Sequence, residues 1–199
     1  PVCVLPSSPR VCMDQAQWFW ARVPSTIKDV NDANMPTRRA TRFFLLRDLR
    51  GGADGRVWRA CTTSGTGCAI KFCKRSSVRD QTQRLEAEAE VWRAAWGVKG
   101  VRVATLVGEP ALVMPYARVI KEPRSNKIKQ QVRDAIDEMA SRGFCHEDLA
   151  WRHVGRLGLR QQWRRVVFFD LARVSPVDTR KPKSVTAAKA KMLNALGLA

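Results

Sequence analysis

The chain has 199 residues, of which 45% are hydrophobic, and it sets 36 Lys+Arg against 18 Asp+Glu for a net charge of +18. That length supplies one core or two small lobes and excludes two independent full-sized domains. No apolar run of about 18 residues occurs, which excludes a membrane-crossing helix, while the excess cations attract polyanions: nucleic acid, anionic lipid, acidic protein segments or nucleotide phosphates, among which charge alone does not choose.

Residues 1–40 mix Pro, Ser, Asp, Asn and Arg around the cluster Trp18-Phe19-Trp20 without a sustained period, and read as a partly ordered N-terminal extension. The start has no basic segment leading into an apolar one, so the chain reads as intracellular, cytoplasmic or nuclear; residue 1 is Pro, and a secretion signal could lie upstream. Short β-rich runs follow: Phe43-Phe44-Leu45-Leu46, Arg56-Val57-Trp58-Arg59-Ala60 and Cys68-Ala69-Ile70-Lys71-Phe72, punctuated by glycines as in an antiparallel meander. Arg84 to Trp96 reads as a helix with Leu85, Val91, Trp92 and Ala95 available for one side and Gly97 ending it. Strands near Val101–Val107 and Ala111–Met114, around the turn Gly108-Glu109-Pro110, complete five strands and one helix.

After Pro115, Ser125 is placed to cap a helix running to Arg142, with Ile128, Val132, Ile136, Met139 and Ala140 at three- and four-residue steps and Gly143 as the stop. A loop at Cys145–His153, strands at Val154–Leu159 and Val166–Phe169, and a basic tail with an Ala/Lys-rich helix from about Val185 finish the chain. The expected divisions are an extension at 1–40, a first lobe at 41–115, a second lobe at 116–180 and a tail at 181–199. The six cysteines (Cys3, Cys12, Cys61, Cys68, Cys73, Cys145) form no C-x-x-C pair, so a zinc site is not expected and reduced thiols are the default.

Five segments carry candidate chemistry. His146-Glu147-Asp148-Leu149-Ala150-Trp151-Arg152-His153-Val154 places a carboxylate, Asp148, in a loop between apolar elements, where it could orient an acceptor hydroxyl and take its proton. Val166-Val167-Phe168-Phe169-Asp170-Leu171-Ala172 is an apolar strand ending in an acid that suits a hard cation. Gly51-Gly52-Ala53-Asp54-Gly55-Arg56-Val57 is a glycine-rich turn before a strand, and Ala69-Ile70-Lys71 ends a strand in a cation. Ala111-Leu112-Val113-Met114-Pro115-Tyr116-Ala117 is a strand entering a break. In this order and spacing, from about Leu46 to Ala172, they resemble the protein-kinase-like superfamily: its glycine loop, V-A-I-K strand, hinge, H-R-D-L-x-x-x-N loop and D-F-G.

The resemblance implies an α+β, two-lobed protein-kinase-like fold, with a five-stranded antiparallel N-lobe sheet plus one helix and a truncated, mainly helical C-lobe. It implies ATP with Mg2+ or Mn2+ in the cleft and transfer of the γ-phosphate to a hydroxyl, by default of a protein. Asp148 takes the catalytic position, Lys71 that of the phosphate-holding lysine and Glu88 that of its helix partner, chosen over Glu86 and Glu90 because it shares a side with Leu85 and Trp92. Gly52, Gly55, Val57, Ala69, Lys71, Met114, Pro115 and Ala117 become nucleotide contacts, the last two through backbone groups. Asp170 becomes the metal ligand, with His153 standing where the family has a metal-binding asparagine.

The chain departs from that pattern in places. His153 offers imidazole, a poor magnesium ligand; Glu147 replaces the arginine that receives a phosphorylated activation loop; Ala172 replaces a glycine; and only 27 residues follow Ala172. In size it is closer to minimal kinases of the RIO and lipopolysaccharide-kinase kind, and the loop wording also resembles kinase domains of Crinkler-type oomycete and fungal effectors. Plainer readings stand beside these: Lys71 as an exposed strand-end lysine, Glu88 as a surface partner of Arg84 or Arg93, His146 as a structural hydrogen-bonder, and Arg152 as a solvated cation. A pseudokinase that binds nucleotide without turnover and a basic nucleic-acid-binding module are the alternative functions, and 180–191 is either a polyanion contact, a nuclear address or a solvated tail.

Overall fold

The computed structural model describes residues 43–49, 55–62, 66–74, 77–106, 109–121, 125–158 and 165–199. The extension at 1–40, its aromatic cluster and Gly52 lie outside the described residues. The protein is α+β and divides into two compact units. The described residues up to Ala89 and Gly100–Tyr116 form the first; Glu90–Lys99 and Ala117–Ala199 form the second.

The first unit is built on strands β1 (Phe43–Asp48), β2 (Gly55–Thr62), β3 (Gly67–Cys73), β4 (Arg102–Leu106) and β5 (Glu109–Pro115), in the order β1-β2-β3-β5-β4. Every neighbouring pair is antiparallel. Ile70 faces Trp58 on one side and Val113 on the other, and Phe72 faces Ala111. Because the pleat alternates, these residues share a face with Ala60, Cys68 and Ala104, which with Phe43, Leu106 and Val113 make one buried cluster. Pro110 sits in β5, not in a turn, and pairs only with Thr105 of β4. Pairing with β3 starts at Ala111, so the N–H that proline lacks breaks no central ladder.

Helix α1 runs over Val78–Trp96 and so begins before Arg84, the start that its apolar pattern implies. The start is set by Ser77: its Oγ accepts the Asp80 N–H at 3.1 Å, and its hydroxyl donates to Asp80 Oδ2 at 2.6 Å. The end of the helix groups with the second unit, whereas the sequence assigned all of 41–115 to one lobe. Trp96 is the reason: its Nε1–H donates to the Phe168 carbonyl at 3.1 Å, its ring meets Phe168 edge-on at 5.5 Å, and its own carbonyl accepts from Arg165 Nη1 at 2.6 Å.

The second unit holds α2 (Asn126–Ser141), α3 (Pro182–Ala195) and two small sheets. One sheet orders β6 (Arg118–Val119), β8 (Val154–Leu157) and β9 (Arg165–Phe168); the other pairs β7 (Phe144–His146) with β10 (Val174–Pro176). Helix α2 buries Val132, Ala135, Ile136, Met139 and Ala140. Gly143 ends it at φ 86, where an added Cβ would also come within 3.2 Å of the Val177 carbonyl oxygen. Strand β7 overlaps the expected loop at Cys145–His153, since three residues carry no period; His146 pairs with Val174 and Cys145 with Ser175.

Residues 181–199 are no solvated tail. Ala188 and Met192 on α3, with Leu196 and Leu198 beyond it, are buried, and Lys189 pairs with Asp137 at 3.0 Å. Burying each of the larger side chains stabilises by roughly 1.5–3 kcal/mol, which outweighs the solubility of the interspersed lysines. Among the described residues, no helix is long and apolar enough to cross a membrane.

Candidate functional site

In the first unit the site is organised by β3. Lys71 lies opposite Val57 of β2 and Leu112 of β5, and Ala69 lies opposite Met114. Alternation therefore puts Val57, Ala69, Lys71 and Met114 on one face of the sheet, the face away from Ile70 and Phe72. Lys71 Nζ meets Glu88 Oε2 at 2.8 Å, with side chains 5% and 2% exposed. Glu88 reaches it because Leu85, Glu88, Ala89 and Trp92 form the buried stripe of α1, whereas Glu90 is exposed and Glu86 half-buried. A buried pair of this kind costs about 3–5 kcal/mol when one partner alone is removed.

Of the remaining expected nucleotide contacts, Gly55 has a structural duty: an added Cβ would sit 2.0 Å from the Phe72 carbonyl oxygen, so the strand pair itself demands glycine. Pro115 closes β5 opposite Cys68, and beside it the Arg59 guanidinium covers the Tyr116 ring at 4.9 Å from the centroid. Ala117 begins the second unit's main segment and lies so close to Gly155 that a Cβ there would be 2.9 Å from its own.

In the second unit, the stretch from β7 to β8 turns through a 3-10 turn at Trp151–His153. His146 donates from Nε2 to the Phe169 carbonyl at 3.2 Å and stacks on His153 with centroids 5.4 Å apart. Burial pushes its pKa down, so the ring is kept neutral, and its buried Nδ1 meets no hydrogen-bond partner among the described residues. His153 lies 2.7 Å from the Asp148 backbone oxygen through Nδ1. A carbonyl only accepts, so Nδ1 carries the proton, and the Nε2 lone pair accepts the Arg152 Nε–H at 3.0 Å.

The Asp148 carboxylate is 44% exposed, with Arg152 Nη2 at 3.3 Å and Arg173 Nη1 at 4.0 Å. Asp170 Oδ2 lies 3.9 Å from His153 Nε2. Asp170 itself adopts φ 61, ψ 52, and is the one non-glycine residue at positive φ among the described residues. That left-handed conformation costs about 1–2 kcal/mol, least for Asp and Asn, and neighbouring backbone bonds enforce it: Phe169 N–H donates to the His153 carbonyl at 3.0 Å.

Glu147, beside Asp148, points elsewhere. It accepts hydrogen bonds from Lys191 of α3 and from Ser175, which together hold its carboxyl below the usual range. Among the described residues, no group of three His, Cys, Asp or Glu side chains is arranged to hold a metal. Asp170 alone fits a magnesium site whose other ligands are water and phosphate oxygens, as that ion prefers. His153 does not fit, since both of its nitrogens are committed to the protein. Burial pushes the Cys68 thiol up to about 12. Arg173 and Lys191 escaped the sequence reading because nothing marks them out from the other 34 of 36 basic residues.

In this α+β protein the first unit carries a buried lysine–glutamate bridge on an antiparallel sheet, and the second carries a loop-borne carboxylate flanked by guanidinium groups. The chain belongs to a family of unknown function (DUF5898), whose profile matches residues 48–157, just over half of its length. That span includes Lys71, Glu88, Met114, Asp148 and His153 and stops short of Asp170. No curated protein matches it.

Proposed function

We propose that this protein is an ATP-dependent phosphotransferase of the protein-kinase-like kind, with a hydroxyl, by default a protein hydroxyl, as acceptor. The observation that carries the reading is the buried Lys71–Glu88 bridge at 2.8 Å. The carboxylate compensates the lysine's charge in a position almost closed to water and fixes its stem. A five-stranded antiparallel sheet with one helix, as the resemblance implies for a first lobe, supports the same reading.

Lys71 would donate to the α- and β-phosphates, and the side chains of Val57, Ala69 and Met114, on the same face as Lys71, would pack on the adenine. The Pro115 carbonyl and Ala117 N–H would complete its recognition. Asp148 would accept a hydrogen bond from the acceptor hydroxyl. As the acceptor oxygen bonds to the γ-phosphorus, the bond to the β–γ bridging oxygen breaks, ADP leaves, and the acceptor proton passes to Asp148. Asp170 would supply the carboxylate oxygen for magnesium or manganese, which when bound neutralises phosphate charge. Replacing Asp148 by Asn should abolish transfer while ATP still binds; transfer that survives would remove Asp148 from the role.

A nucleotide-binding pseudokinase is the second reading, favoured by the two guanidinium groups already on Asp148 and by the committed nitrogens of His153. It differs in one outcome, nucleotide binding with no transfer under either metal.

A further inference from the structure

We infer that Arg152 fills the place a second divalent cation would hold beside Asp148, and that His153 is a positioning residue that orients this guanidinium and is not a metal ligand. This rests on the phosphotransferase reading for its meaning, though not for its geometry. Three contacts carry it. Arg152 Nε–H donates to His153 Nε2 at 3.0 Å, Arg152 Nη2 reaches the Asp148 carboxylate at 3.3 Å, and His153 Nδ1–H donates to the Asp148 backbone oxygen at 2.7 Å.

The three residues close a ring in which each contact runs from a donor to an acceptor. The imidazole gives one proton and receives one, and the guanidinium fork spans an acceptor nitrogen and a carboxylate. A metal on His153 Nε2 would have to expel the Arg152 Nε–H, and would then face a guanidinium of like charge at hydrogen-bond range. Charge is also balanced without it. Asp148 and Asp170 supply two negative charges, and Arg152 and Arg173, both in range of Asp148, supply two positive ones. At His153 a second dication would meet a ring with both nitrogens already engaged. Its positive charge is supplied instead by a side chain that is held in place and yet 66% exposed, open to an incoming phosphoryl oxygen.

The chain's two histidines make the test direct. In nitrogen-15 spectra of the full chain labelled at histidine, with His146→Gln to assign the signals, His153 should carry its proton on Nδ1, with Nε2 at a hydrogen-bonded acceptor position. His146 should show the opposite tautomer. Zn2+ or Mg2+ in about tenfold excess should leave His153 Nε2 unmoved in the wild type. Arg152→Ala should shift that nitrogen and make it respond to Zn2+; Arg152→Lys serves if the alanine variant does not fold, and Arg173→Ala should leave His153 unchanged. A proton on Nε2, or a wild-type Nε2 that responds to metal as the Arg152 variant does, overturns the inference. In transfer assays Arg152→Ala should lower turnover roughly 10²-fold with ATP affinity retained. If the wild type shows no transfer at all, the phosphotransferase reading fails while the spectra still decide the roles of Arg152 and His153.

Discussion

The Lys71–Glu88 bridge and the Asp148–His153 loop solve opposite problems with charge. The bridge is dry, with side chains 5% and 2% exposed, and its geometry is fixed by a strand and a helix stripe. The loop is wet: Asp148 is 44% exposed and its guanidinium neighbours 66% and 56%. Its order comes in part from hydrogen bonds between imidazoles and backbone carbonyls, the His146–Phe169 and His153–Asp148 pairs. A buried ion pair holds a charge where it must not move, and an exposed carboxylate remains open to an acceptor. The first arrangement suits holding a phosphate chain, the second suits exchanging a proton.

The largest effect expected from that contrast is the complete loss of transfer in Asp148→Asn with the fold intact, read by turnover beside thermal denaturation. Next comes the bridge. Lys71→Met should destabilise by about 3–5 kcal/mol because Glu88 is left buried without its cation, whereas Lys71→Met with Glu88→Leu should recover most of that loss. Denaturant titration measures this, and ATP binding should stay lost in the double variant. Recovery of ATP binding together with stability would make the bridge purely structural.

A smaller effect is linked to His146. Its folded pKa lies below the ordinary 6.5, so the unfolded chain takes up more protons and stability falls as the pH drops below about 6.5. His146→Gln, which keeps a donor for the Phe169 carbonyl, should flatten stability over that window, and an unchanged slope would contradict the neutral assignment. The smallest effect is expected at the Glu147–Lys191 contact, an exposed pair far from the dry bridge in character. The Glu147 carboxyl is held low, so its contribution is present above the ordinary carboxylate range and is lost as the pH falls through the lowered pKa. Lys191→Ala should bring only a slight fall in Tm near neutral pH.

The same contrast explains what the sequence could show. Glu88 was readable because burial and helical period act together: only one of three glutamates shares a side with Leu85 and Trp92. The five-stranded sheet was readable from β-rich runs between glycines. The loop was readable as residue types and not as contacts, because a sequence does not say which imidazole nitrogen holds the proton or that Arg152 occupies the other one. Hence His153 was expected as a metal ligand, and the structure commits both its nitrogens to protein partners. Two long-range contacts were hidden for a related reason. Trp96 ties the end of α1 to β9 and Met192 seats α3, both long-range events that composition, dominated there by Ala, Lys and Arg, conceals.

The most direct test is transfer of labelled γ-phosphate from ATP, to the protein itself and to generic protein acceptors, by wild type and Asp170→Ala under magnesium and under manganese. The account predicts incorporation by the wild type that vanishes in the variant; no incorporation by the wild type under either metal, with ATP still bound, would contradict it.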